Sequence, residues 1–324
     1  MIIVTGGAGF IGSAFVAKLN SEGITDIVIV DELGESDKWK NLVNRRYVDY
    51  IHKDHFIEMI GEDDLPFDGI EAMIHMGACS STTERNADYL MENNFHYTCC
   101  LADWAVEQKI RFIYASSAAT YGDGARGFSD ADDVTPTLHP INMYGYSKQL
   151  FDLRILRQGV ADKMAGIKFF NVFGPNEYHK GDMASVIFKA FHQIRETGKV
   201  MLFKSYKPEY PDGGQMRDFV YVKDCVEILW WILNHPQVNG IFNLGTGRAR
   251  TWNDLIQAVF AAMMIPKQIE YIEMPVAIRD QYQYFTEAKM DKLKKTSCPA
   301  AFRSLEDAVY DYVVNYLQKA NSYL

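Results

Sequence analysis

Apolar residues early in this chain come in short unbroken runs: IIVTG at 2–6, DIVIVD at 26–31, AMIHMGA at 72–78 and RFIYASS at 111–117, with mixed segments of helix length between them. Runs without polar alternation fit strands covered on both faces, and the spacers are long enough for the crossovers that parallel neighbours need. The pattern predicts an α/β chain with a doubly wound parallel sheet. IKFFNVFG (167–174) and GIFNLGTG (240–247) read as two more strands, each ending in glycine. MASVIFKAFHQIRETG (183–198) and YGYSKQLFDLRILRQ (144–158) carry apolar residues at helical spacing. RDFVYVKDCVEILWWILNHP (217–236) reads as strand, turn and helix, stopped by Pro236.

This order places one α/β domain over residues 1–170, with a strand near 240–247 returning to it, and a smaller C-terminal α/β domain mainly over 171–324. Two irregular stretches, 122–140 and 204–216, are rich in Gly, Asp and Pro and too polar for a core. They are candidate lid loops. No internal repeat or low-complexity linker interrupts the pattern.

Composition is ordinary for a globular chain of 324 residues, at 48% hydrophobic and 23% charged. The 33 Lys and Arg against 42 Asp and Glu, a net charge of -9, argue against nucleic acid as a partner. Five cysteines without a C-x-x-C pair suggest no metal site or redox dithiol, and reduced thiols in a cytoplasm. No stretch of about 18 apolar residues suggests a membrane span.

TGGAGFIG places Gly6, Gly9 and Gly12 after the first apolar run and before a helical pattern. Glycines there allow a tight turn and close backbone approach to a pyrophosphate, which then faces helix N–H groups. Together with an acid at the end of the next strand, this is the pattern of a Rossmann dinucleotide site. That acid, Asp31, suits the ribose 2'-hydroxyl of NAD. Lys38, Lys40 and Lys53 follow, any of which could neutralise the 2'-phosphate of NADP; spacing leaves the choice open, and Lys40 and Lys53 read first as solvated surface residues.

Tyr144 and Lys148, at i and i+4, fall on one face of a helix. A phenol with an ordinary pKa near 10 needs positive charge beside it to act as a base at neutral pH, and Lys148 supplies one. Ser116 and Ser117 end the fourth apolar run, where open α/β sheets collect ligands. Ser117 is the candidate helper, whereas His75 reads as a strand-end structural residue.

TGGAGFIG, SSAATYG, YGYSK and RDFVYVKD together resemble the extended short-chain dehydrogenase/reductase family, whose members mostly act on nucleotide sugars. The resemblance spans essentially the whole chain. HMGACSSTTE, MENN, FNVFGPNEYHKGDMASV and GIFNLGTGRA are similar to its ADP-heptose epimerase branch. That likeness implies tightly held NADP, transient oxidation of the heptose C6 hydroxyl and hydride return to the opposite face, in making the lipopolysaccharide inner core. It also implies a homo-oligomer, a pentamer in the family.

Residue by residue, the resemblance assigns acid/base work to Tyr144 and Lys180, cofactor positioning to Lys148, and help to Ser117. Cofactor contacts would fall on Phe10, Ile11, Asp31, Lys38, Lys53, Met76, Gly77, Ala78, Asn93, Val172 and Lys180, beside the three glycines. Substrate contacts would fall on Ser117, Asn171, Lys189, Phe203, Arg217 and Tyr282. Asp182 occupies a substrate-side position where a small hydroxyl residue is expected, and puts a negative charge two residues from Lys180.

Relatives differ in ways the residues address. Dehydratases of this group carry an Asp-Glu pair after the serine segment, where this chain has Ala118, Ala119 and Thr120. A 4-epimerase has no use for Lys180. A chain kept only for cofactor sensing would have no reason to retain both Tyr144 and Lys148.

Overall fold

The structure, a computed structural model, describes residues 1–279 and 282–324. Six parallel strands come first: β1 (Ile2–Thr5), β2 (Ile27–Asp31), β3 (Asp49–His52), β4 (Ala72–His75), β5 (Arg111–Ser117) and β6 (Met164–Phe169). β7 (Asn171–Phe173), β8 (Val200–Phe203) and β9 (Met216–Tyr221) leave that sheet, and β10 (Gly240–Leu244) rejoins it. β11 (Ala249–Thr251) and β12 (Ile269–Ile272) follow.

The large sheet has the order β10-β6-β5-β4-β1-β2-β3, parallel throughout. Its central strands are buried on both sides, which explains their unbroken apolar runs. Ile2, Val4, Ile27 and Ile29 face one core with the helix Phe10–Ser21. Ile3, Val28, Met73 and Phe112 face another, with Phe151 and Ile155 of the helix Met143–Gln158. Helices on both faces make the sheet doubly wound. Two small sheets, β11-β9-β7 and β12-β8, are separate from it.

Two sequence expectations are corrected, and one, the helix stopped by Pro236, is met. The run 167–174 is two strands: β6 ends at Phe169, Phe170 donates its N–H to Leu244 O of β10, and β7 pairs instead with β9. The helix after β9 is Val222–Leu233, ending before Pro236 because a residue preceding proline disfavours helical geometry. Segment 122–140 is not a free polar loop. Phe128, Asp130, Thr135 and Leu138 are buried, and Asn243 of β10 holds the segment by donating its N–H to Asp130 and its amide to Phe128 O, both at 2.8 Å. Its polar side chains are satisfied by backbone, which a polarity count does not register. The tip remains open: Asp123 and Gly124 share a cavity of about 730 Å³ with Tyr206, Lys207 and Tyr210 of the other irregular segment.

Candidate active site

The TGGAGFIG turn leaves β1 at its carboxyl end and enters the helix Phe10–Ser21. A Cβ on Gly12 would stand 2.1 Å from Gly6 O, and one on Gly6 would stand 2.5 Å from Gly77 N, so neither place accepts a side chain. The turn opens on a cleft of about 390 Å³. Gly6, Gly9, Phe10, Ile11 and Gly12 line its floor, and Met76, Gly77, Ala78 and Val172 its walls. An extended anionic dinucleotide fits this cradle of backbone N–H groups at a helix N-terminus.

Asp31 and Lys38 line the same cleft and form an ion pair of 2.7 Å. Asp31 also accepts the N–H groups of Ala8 and Glu32, at 2.8 and 2.7 Å. Lys53 and Asn93 lie in an adjoining cavity of about 160 Å³ that Asp31 and Lys38 also border. Lys53 is held by Asp54 and lies 3.6 Å from Glu32.

Ser117, Tyr144, Lys148 and Lys180 reach the cleft from three different segments. Asn142 caps the Tyr144 helix by accepting the Gly145 N–H at 2.8 Å. Gly145 lets the helix approach the end of β5, because a Cβ there would lie 2.6 Å from Ala119 O. Burial pushes the Tyr144 phenol above its ordinary value, and the nearby Ser117 hydroxyl, which favours ionisation, offsets only part of this. Lys148 is buried, and loss of solvent pulls its ammonium down to about 8; the Asp152 carboxylate and the Cys79 thiol work in the opposite direction. Burial also lowers Lys180, with Glu177 opposing it.

The Lys180 segment is built as carefully as the helix. Glu177 is fully buried and accepts the Ser185 N–H and hydroxyl at 2.6 and 2.7 Å. Asn176 donates to Ser13 at 2.9 Å, and Lys180 Nζ lies 5.2 Å from the centre of the Phe10 ring. The carboxylate acting on Lys180 is therefore Glu177. Asp182 is exposed, and its backbone oxygen accepts Lys189 Nζ at 2.6 Å. His179 also enters the cleft; burial pulls its imidazole down to about 4, aided by Lys38 and Lys180.

Lys189, Phe203 and Tyr282 meet with Trp252 around a second cavity of about 280 Å³. Arg217 is buried beside it without a carboxylate partner among the described residues. Its guanidinium lies 5.7 and 5.4 Å from the ring centres of Trp252 and Tyr282, and Trp252 donates its indole N–H to Tyr282 at 3.0 Å. Asn171 is exposed at the start of β7 and meets Thr286 at 3.5 Å; neither it nor Asp182 borders these cavities. Trp252, His179 and Glu177 were not singled out from sequence, where one aromatic, one histidine and one acid carry no periodic signal.

His75, at the end of β4, is fully buried between Thr5 Oγ1 at 2.6 Å and Thr98 Oγ1 at 2.9 Å. Burial, helped by the Lys148 charge, pulls its imidazole down to about 3. An unfolded histidine titrates near 6.5, so between those values the unfolded chain binds the extra proton. Stability is complete above pH 6.5 and falls as pH drops toward 3. Urea titrations at pH 7 and pH 5 should show about 2 kcal/mol lost through this residue, and His75→Gln should flatten that difference. An equal acid sensitivity in the variant counts against His75 as the source.

The chain belongs to the NAD dependent epimerase/dehydratase family, whose model matches residues 2–245. An ADP-L-glycero-D-manno-heptose-6-epimerase of Nitratidesulfovibrio vulgaris is 62% identical over the whole of both chains, and one of Fusobacterium nucleatum is 52% identical, also over the whole of both. The solved Helicobacter pylori ADP-L-glycero-D-manno-heptose-6-epimerase superimposes with a TM-score of 0.79 at 26% identity, covering 97% of this chain and 95% of that one. The fold is shared more widely: a UDP-N-acetylglucosamine 4-epimerase of Methanobrevibacter ruminantium gives 0.80 at 22% identity, covering 96% of each chain. The protein is thus an epimerase, an isomerase that works with a nicotinamide cofactor. Among the described residues no helix is long and apolar enough to cross a membrane, and no acidic, histidine or cysteine cluster could hold a metal ion.

Proposed function

We propose that the protein interconverts ADP-D-glycero-D-manno-heptose and ADP-L-glycero-D-manno-heptose by inverting C6, in the cytoplasm and for the lipopolysaccharide inner core. The observation that carries the reading is the meeting of Tyr144, Lys148, Ser117 and Lys180 in one glycine-floored cleft. When bound, the nicotinamide would take the C6 hydride and return it to the resulting ketone. Tyr144 would move the hydroxyl proton on one side, with Lys148 supplying positive charge and Ser117 a hydrogen bond to the reacting oxygen. Lys180, whose lowered proton affinity makes a neutral amine more accessible, would serve the other side.

NADP is the cofactor we favour. Asp31, the acid that would accept a ribose hydroxyl, is occupied by two backbone N–H groups and by Lys38, so its charge is already countered beside the adenosine end of the cleft. Lys38 and Lys53, which border the same cavity as Asp31, would then serve as the cations for a 2'-phosphate. Residues 171–324 would mainly form the substrate domain, with Arg217 on the diphosphate and Lys189, Phe203 and Tyr282 around the nucleoside. Asn171 and Asp182 would join only after substrate closes the site, since neither borders the open cavities. The chain would assemble as a homo-oligomer.

The deciding assay follows purified protein with the two ADP-heptose epimers and with UDP-hexose. Epimer exchange with the first and none with the second is expected; the reverse result defeats the proposal. Arg217 offers a second check. Its rigid fork can grip a diphosphate from two directions, which an ammonium cannot reproduce. Arg217→Lys should raise KM about 10-fold or more while kcat changes less. An unchanged KM removes Arg217 from the substrate site.

A further inference from the structure

Behind the cleft, on the buried face of the sheet, two charges meet that the reaction as described does not use. Asp152 and Lys168 are both fully buried, with carboxylate and ammonium 3.1 Å apart. Asp152 follows Tyr144 and Lys148 at the same four-residue step, so all three share one face of the helix Met143–Gln158. Lys168 is paired in register with Ser116 across β5 and β6.

Backbone geometry accounts for the meeting. Tyr114 and Ser116 alternate onto the same face of β5, and their register partners Gly166 and Lys168 share it on β6. A Cβ on Gly166 would stand 2.3 Å from the Tyr114 hydroxyl, so the glycine makes room for that ring to reach the helix. Tyr114 and Ser116 then donate to the two Asp152 oxygens at 2.8 and 2.7 Å. Lys168 donates onward to Thr120 at 2.8 Å, and Thr120 to the backbone oxygen of Ser117 at 2.8 Å. The pair is thus wired to both serines at the carboxyl end of β5.

We infer that Asp152 and Lys168 are positioning residues: a buried ion pair that holds the Tyr144–Lys148 helix against the end of β5 and supplies the negative charge behind the Lys148 ammonium. Burying two charges is costly unless each is paired and its remaining hydrogen bonds are satisfied, and here they are. An apolar pair of the same volume would avoid that cost but strand the buried Tyr114 and Ser116 hydroxyls, so the charges hold this network together. They also act electrostatically. Lys148 faces Tyr144 and Asp152 on its own helix, Cys79 on the segment after β4, and His75 on β4. Among these Asp152 is the carboxylate, and it opposes the desolvation that drives the Lys148 proton off.

The inference rests on Tyr144 and Lys148 being the acid/base unit. It is tested by the kcat–pH profile of Asp152→Asn/Lys168→Met, with bound nicotinamide absorbance as a check on the site. The alkaline limb should move down by about one pH unit or more, because the neutral pair no longer helps Lys148 keep its proton. Lys168→Arg and Asp152→Glu, which keep both charges, should retain the wild-type limb even where kcat falls. A pair that only stabilised the fold would lower the melting temperature and leave the limb in place, and that result overturns the inference. If the double variant does not fold, a limb displaced in Asp152→Glu and Lys168→Arg overturns it equally. Tyr144→Phe run alongside separates the two ideas. Activity surviving there defeats the acid/base assignment, whereas an inactive Tyr144→Phe with an unmoved double-variant limb defeats only the ion-pair role.

Discussion

Tyr144→Phe is expected to lower kcat by about 100- to 10,000-fold, the range that a well-placed general acid or base contributes, while bound nicotinamide absorbance stays at the wild-type level. The change removes one hydroxyl and leaves the ring, the Asn142 cap and the close approach at Gly145 intact. Burial raises the phenol above its ordinary value in the protein alone, so Ser117 by itself does not make it a base. The missing stabilisation must come from positive charge, and Lys148 is the protein's share of it. Because the Lys148 ammonium is lost near pH 8, wild-type activity should fall above that pH, measured as kcat with substrate saturating. Activity that keeps rising through pH 9 contradicts the assignment of Lys148.

Lys180→Met is expected to cost a comparable factor in net epimerisation, again about 100- to 10,000-fold, with the cofactor retained. The methionine keeps most of the arm that lies over Phe10 and leaves Glu177 with Ser185 as its partner. Near-normal turnover in this variant would show that one base serves both faces of the ketone and that Lys180 only holds the cofactor. The distinction is visible in a half-reaction. An aldehyde analogue without a C6 stereocentre should still be turned over by whichever variant retains the base for that face, whereas lost binding would silence both.

Much of the candidate site was legible because its parts obey short-range rules. TGGAGFIG follows a strand and opens a helix, Asp31 closes the next strand, and Tyr144 and Lys148 are one helical turn apart; each is a fixed offset along one element. The same offset continues to Asp152, so the sequence did hold a signal for it. What gave that signal meaning was Lys168, sixteen residues away on β6. The fully buried apolar strands were equally readable, whereas β3, β8, β11 and β12 were not, since they are only partly covered.

The chain's own order of residues determined the doubly wound sheet, the glycine turn and the shared Tyr144–Lys148 face of one helix, because backbone sterics and periodicity act over a few residues at a time. Tertiary structure alone decided which groups share a cleft. Lys180 joins Tyr144 only after the strand run 167–174 breaks and β7 turns away toward β9. The buried Asp152–Lys168 pair exists only because β5 and β6 settle in one register and Gly166 yields space to Tyr114. Charges far apart in sequence acquire their energies from burial and partners, and those are properties of the packed molecule.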